Sequence, residues 1–163
     1  MKIIKTKFEG LLIIKQKKNI DNRGSLRETF NDKILKKRFC FEYFTHSKKN
    51  VLRGFHFQIR KPQSKLVNVL KGKILDCVID LRRKSKTFGK NFKIILSDKN
   101  GLGLFIPRGF AHAYYSYEKE NLIYYKLDNY YSPSSEKGIV WNDQTLKINW
   151  PIKKPIVSSK DKS

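Results

Sequence analysis

The chain has 163 residues, of which 39% are hydrophobic and 13% aromatic, enough for one ordinary core and too few for two domains. No apolar run reaches the roughly 18 residues a membrane-spanning helix needs, and the opening Met1-Lys2-Ile3-Ile4-Lys5-Thr6-Lys7 alternates charged with apolar residues, unlike a secretory leader. The net charge of +22 invites a nucleic-acid reading, but 28 of the 36 basic residues are Lys, scattered in runs of three at most, with no recognition-helix or zinc-finger spacing.

A single domain over residues 1–163, cytoplasmic and without a membrane segment, is therefore expected. Solvated lysines and a small anionic partner suit the charge better than a specific nucleic acid, since a diphosphate needs only two or three well-placed cations. Cys40 and Cys77 form neither a CxxC pair nor a disulfide framework, and reduced cysteines in or near the core are expected.

In chain order, a short helix comes first. Asn31 or Asp32 could cap it, and Ile34, Leu35 and Phe39 could form its apolar face. Period-two runs follow at 51–59, 66–70, 74–81, 92–96, 102–106, 111–117 and 122–127. In the third, Leu75, Cys77, Ile79 and Leu81 alternate with Ile74, Asp76, Val78 and Asp80. Lys71-Gly72-Lys73, Lys99-Asn100-Gly101 and Pro107-Arg108-Gly109 punctuate them as turns. Many short strands at this spacing predict an all-β sandwich or closed barrel. The Lys-rich tail after Trp150-Pro151 reads, on composition, as a frayed terminus.

Three histidines are available for chemistry: His46, His56 and His112. None stands at HxH or HExxH spacing, and His56-Phe57-Gln58 has Gln where a metal-binding cupin would place its second His, so no metal is expected. No nucleophile elbow, P-loop or GxGxxG motif occurs. A cysteine in an alternating strand, such as Cys77, is usually core. Proton transfer by His and Tyr is the most economical chemistry left, because imidazole both takes up and returns protons near neutral pH.

Assembled in order, the runs are Asp21-Asn22-Arg23-Gly24 with Glu28, Val51 through Gln58, Lys65-Leu66-Val67, Asp80-Leu81-Arg82 with Ser85 and Thr87-Phe88-Gly89, and Ile106 through His112. Tyr125-Lys126, Tyr130-Tyr131-Ser132-Pro133, Glu136-Lys137-Gly138-Ile139, Trp141-Asn142-Asp143 and Trp150-Pro151 close the series. This order closely resembles the dTDP-4-dehydrorhamnose 3,5-epimerase family, from about Lys5 to Asp161.

The resemblance implies a cupin-type jelly-roll barrel with one or two short helices, a homodimer, and catalysis without cofactors. It makes His56 the base and Asp161 the carboxylate that orients it, with Asp76 a rival for that role. It makes Tyr125 the acid on the far face and Lys65 the cation at the enolate oxygen. Arg53 would meet the diphosphate of a dTDP- or GDP-linked sugar. Arg23 and Glu28 would contact base or phosphate, often from the partner subunit, and His112, Glu136 and Lys160 would bind substrate. Phe41 and Tyr43 stand where the family usually has Gln and Asn. Leu26 replaces a common aromatic, and the 58–65 loop is one residue short. A metal-dependent or non-catalytic cupin is the alternative of another class.

Overall fold

Alternation in these runs is the signature of strands with two distinct faces, and the computed structural model, which describes residues 1–162, shows how each face is used. Thirteen strands form: β1 Lys2–Lys5, β2 Leu12–Lys15, β3 Lys17–Asp21, β4 Gly24–Glu28, β5 Phe41–Lys48, β6 Leu52–Gln58, β7 Lys65–Lys71, β8 Lys73–Asp80, β9 Asn91–Ser97, β10 Leu102–Ile106, β11 Phe110–Ser116, β12 Glu120–Leu127 and β13 Glu136–Gly138. A six-stranded sheet, β1-β2-β10-β7-β12-β5, packs on a five-stranded one, β13-β6-β11-β8-β9, while β3 and β4 make a separate hairpin. The named pairings are antiparallel. The all-β jelly roll expected from the sequence is the fold.

The main core lies between the sheets and joins Val67, Val69, Ile74, Val78, Leu104, Ile106, Ile123 and Leu127. The outer faces are covered as well. Phe55, Cys77, Ile79, Ala111 and Ala113 pack beneath Ile139, Leu146 and Trp150, and Ile14, Leu66 and Phe105 pack beneath Leu35 and Phe39. Strand β8 is thus buried on both faces over most of its length. Cys77 is core, and burial pushes its thiol pKa up, far from a nucleophile's range.

Three expectations need correction, the first being Cys40, which is exposed rather than in the core. The helix is one turn, α1 Asp32–Leu35, capped by Asn31, which accepts from Lys33 N, and ended by Lys36 at a φ of 52°. Only Leu35 of its residues is buried; Ile34 faces solvent, and Phe39 packs on Phe30 and Phe105 from beyond the helix. The tail after Pro151 is not frayed. Ile156 N donates to Asn50 O at 2.8 Å and Leu52 N to Ile156 O at 2.9 Å, so backbone pairing straps the tail along β6. Asp80-Leu81-Arg82, Ser85 and Thr87 form a structural knot: Arg82, Ser85 and Thr87 all donate to the buried Asp80 carboxylate. Burial would raise the Asp80 pKa, but these bonds outweigh it and hold it well below the usual carboxylate range.

Strand β6 crosses β11 closely at Gly54, whose φ is +114° and where a Cβ would stand 2.5 Å from His112 O and 2.7 Å from Ala113 Cα. Gly54→Ala should therefore destabilise the fold by roughly 2 kcal/mol or more, read as a lower denaturation midpoint with an unchanged slope.

Candidate active site

Residues opposite one another in an antiparallel pair share a face. His56 faces His112, but Arg53 faces Tyr114, because the β6–β11 register shifts between them. This bulge turns Arg53 and His56, three residues apart, onto the same inner face. From the other sheet, Phe41, Tyr43, Thr45 and Ser47 of β5 and Tyr125 of β12 turn inward in register, as does Lys65 of β7 opposite Leu127.

His56 Nε2 lies 2.6 Å from Asp161 Oδ1. Asp161 sits in the tail's last turn, Ser159–Lys162, and its carboxylate is almost fully buried. The other ring nitrogen, Nδ1, is 3.9 Å from Glu136 Oε1, beyond hydrogen-bond reach. Asp76, the rival partner, binds instead to His112, at 2.9 Å from Nε2, with both groups buried. The two inward histidines thus have separate carboxylates.

Tyr125 is 3% exposed and stacks on Tyr43, with ring centroids 4.9 Å apart at 25°. His112 meets its ring edge-on at 6.1 Å. Burial pushes the Tyr125 phenol well above its ordinary pKa, helped by neighbouring Tyr114 and Tyr43, with the nearby Thr45 hydroxyl opposing. Burial likewise pushes Tyr43 up to about 12. Both phenols therefore hold their protons at neutral pH. Burial drives the Lys65 ammonium the other way, down to about 8, against the pull of Glu136 and Asp76. It remains mostly a cation at pH 7.

The mouth is a cleft of about 320 Å³ lined by Phe41, Tyr43, Gln63, Tyr131, Glu136 and Lys160. Tyr131 donates to Glu136 Oε2 at 2.7 Å, and Lys160 donates to the same oxygen. Burial would raise the Glu136 pKa, but these donors outweigh it and keep the group ionised. A larger hollow of about 980 Å³, lined by Lys71, Lys73, Asp98 and Glu120 among others, lies at the opposite end of the barrel and shares none of these groups.

The structure thus gathers His56, Asp161, Tyr125, Lys65, His112, Glu136, Lys160, Phe41, Tyr43 and Arg53 on one inner face and its mouth. It does not bring Arg23 or Glu28 there within one chain: Arg23 pairs with Asp21 at the β3–β4 tip, and Glu28 accepts from Asn31. Sequence reasoning missed Thr45, Ser47, Tyr114 and Tyr131 as parts of the site, and residue type alone carried no signal for them. Among the described residues, no group of three or more His, Cys, Asp or Glu side chains is placed to hold a metal ion. No helix there is long and apolar enough to cross a membrane.

A jelly roll whose inner face carries a His–Asp pair, a buried tyrosine and a lysine of lowered pKa is a cupin-type barrel equipped for proton transfer. The family model for dTDP-4-dehydrorhamnose 3,5-epimerase matches residues 5–163. The enzyme of that name from Methanothermobacter thermautotrophicus is 40% identical over 99% of this chain and 92% of its own length, and that of Shigella flexneri is 39% identical over 99% and 93%. The crystal structure of the Bacillus anthracis epimerase with TDP and PPi bound superposes with a TM-score of 0.95 at 36% identity, covering 98% of this chain and 95% of that one. The Legionella pneumophila enzyme in complex with dTDP-4-keto-L-rhamnose gives a TM-score of 0.93 at 39% identity, covering 98% and 89%. The chain belongs to the dTDP-4-dehydrorhamnose 3,5-epimerase family.

The Lys65 pKa has a stability consequence. Between about pH 8 and the ordinary lysine value, the unfolded chain binds a proton that the folded chain lacks, so this group's contribution to stability rises with pH. Lys65→Met should be more stable than the parent at pH 7, by about 1 kcal/mol or more, with the gap narrowing above pH 8 in paired denaturation curves.

Proposed function

We propose that the chain is a cofactor-independent epimerase that inverts C3, C5 or both of a nucleotide-linked 4-keto-6-deoxy sugar, with dTDP-4-keto-6-deoxyglucose as substrate. The observation that carries this reading is the 2.6 Å His56–Asp161 bond at one sheet, set against the buried Tyr125 and the half-buried Lys65 on the other. The same name in the family and in full-length relatives supports it.

The C4 ketone acidifies the C–H bonds at C3 and C5. Asp161 accepts from one nitrogen of His56 and leaves the other with its lone pair, which takes the sugar proton. The electrons of that C–H bond move into an enolate, whose oxygen the Lys65 ammonium stabilises. Tyr125 gives its proton to the opposite face of the carbon, inverting it. Solvent restores the phenol and takes the proton from the imidazolium.

Arg53 suits the diphosphate, since its planar fork meets phosphate oxygens in pairs, and its side chain is exposed at the inner face. His112, Glu136 and Lys160 bind the sugar end. Arg23 and Glu28 act from a second copy in a homodimer. The β3–β4 hairpin that carries them leaves Ile20 74% and Leu26 67% exposed, apolar surface suited to a partner. A GDP-linked 4-keto sugar is the second reading, favoured by the aromatic mouth of Phe41, Tyr43 and Tyr131, which offers flat faces to a purine.

Incubation with dTDP- and GDP-linked 4-keto-6-deoxy sugars in deuterated water tests the reading by NMR. Deuterium at C3 or C5 is expected from one of them; loss of neither proton overturns the assignment. His56→Asn and Tyr125→Phe should each lower turnover by roughly 10²–10⁴-fold with folding retained. A full-rate His56→Asn would remove the base from its role.

Lys65 adds a pH signature. The cation is lost as pH rises through about 8, so kcat/KM should fall on an alkaline limb near that value. Lys65→Arg should move the limb upward, and an unmoved limb would assign it to another group.

A further inference from the structure

The inner face carries a second polar chain that the proposed mechanism does not use. Arg53 Nε donates to Ser47 Oγ at 3.1 Å. Ser47 Oγ lies 2.8 Å from the Tyr114 hydroxyl, which lies 2.9 Å from Thr45 Oγ1. Ser47 and Tyr114 are 1% and 2% exposed, so water does not compete for these bonds. Tyr43 faces Tyr125 across β5 and β12 and Thr45 faces Ile123, which makes Thr45 the diagonal inner-face neighbour of Tyr125.

A guanidinium only donates, so Ser47 Oγ accepts from Arg53. Either hydroxyl can donate in the next two pairs, and in the arrangement where each passes its hydrogen onward, Ser47 turns its own hydrogen to Tyr114. The Tyr114 oxygen accepts that hydrogen and gives its own to Thr45, its other partner. Thr45 is left with a hydrogen to donate, and the Tyr125 oxygen is next along the face. An oxygen that accepts there points its own hydrogen elsewhere, into the cavity that His56 and His112 share.

We propose that Tyr114, acting through Thr45 and anchored by Ser47 and Arg53, is a positioning residue that directs a donor at the Tyr125 oxygen and so aims the Tyr125 proton at the sugar. The inference rests on the epimerase reading. When Tyr125 reprotonates the enolate, its O–H bond breaks and a C–H bond forms. The electron pair stays on the phenolate oxygen, which the Thr45 hydrogen stabilises until solvent returns a proton. Burial raises the Tyr125 pKa, and the neighbouring Thr45 hydroxyl is the one influence that lowers it, in keeping with that role. The chain ends on a guanidinium that keeps its protons, so it polarises Tyr125 and conducts nothing. It also ties the acid to the residue assigned to the diphosphate, so the nucleotide end of the substrate braces the acid.

The test separates proton removal from inversion. In deuterated water, exchange with retention reports His56, and the inverted product reports Tyr125. Tyr114→Phe deletes one oxygen. Inversion should fall roughly tenfold, the worth of one lost hydrogen bond, while exchange and KM change by no more than about twofold. In a Tyr125→Phe background the same change should cost nothing further. Thr45→Val is the second variant and should give the same split, with Thr45→Ser recovering the inversion that Val loses. Equal falls in exchange and inversion, additivity with Tyr125→Phe, or unaltered inversion in both Tyr114→Phe and Thr45→Val would each overturn the relay. Absence of any exchange in the unsubstituted chain would instead overturn the epimerase reading, and the relay with it.

Discussion

Between His56 and Arg53 the pairing of β6 with β11 slips by one residue, and Gly54 absorbs the slip at a φ that side chains rarely adopt. Without the slip, strand alternation would send one of those two residues outward. With it, the His56 imidazole and the Arg53 guanidinium enter the same cavity while Phe55 packs into the outer cluster. Much of the site's geometry descends from this bulge. His56 stands opposite His112 and beside Gly138 of β13, which brings Glu136 to the imidazole.

The cavity pairs most of its polar groups, from fully buried to exposed at the mouth, with one another. His56 has Asp161, His112 has Asp76, and Glu136 has Tyr131 and Lys160. Each pairing offsets the cost of taking a charge or dipole out of water. Two groups are left partly uncompensated: Asp76 Oδ1, buried without a hydrogen-bond partner among the described residues, and Lys65, whose lowered pKa is the sign of that. A fold maximising stability would not place a lysine there, and the role proposed for it at the enolate oxygen gives the placement a use.

Much of the barrel was legible because alternation is a local property. Runs from Leu52 to Leu127 appear as strands within a residue or so of their expected ends, and the glycine turns lie where they punctuate the sequence. Strand β5 was not legible, because its inner face, Phe41, Tyr43, Thr45 and Ser47, grows polar toward the site while Phe44 points out, which blurs the apolar rhythm. Strands β3 and β4 are mostly exposed and so carry no alternation. The tail was misread because backbone bonds to Asn50 and Leu52 hold it, and composition does not record backbone bonds.

By itself the sequence determined the all-β class, the turns, the core status of Cys77, and, through ordered motifs, the family to which the chain belongs. Those follow from patterns along the chain. Tertiary structure alone decided which carboxylate serves which histidine, that the tail closes on His56, and that Tyr114 joins Ser47 to Thr45. The groups in those contacts stand 36 to 105 positions apart. Only the closing of two sheets on each other, with the tail strapped alongside, fixes such distances, and no local rule of residue type encodes them.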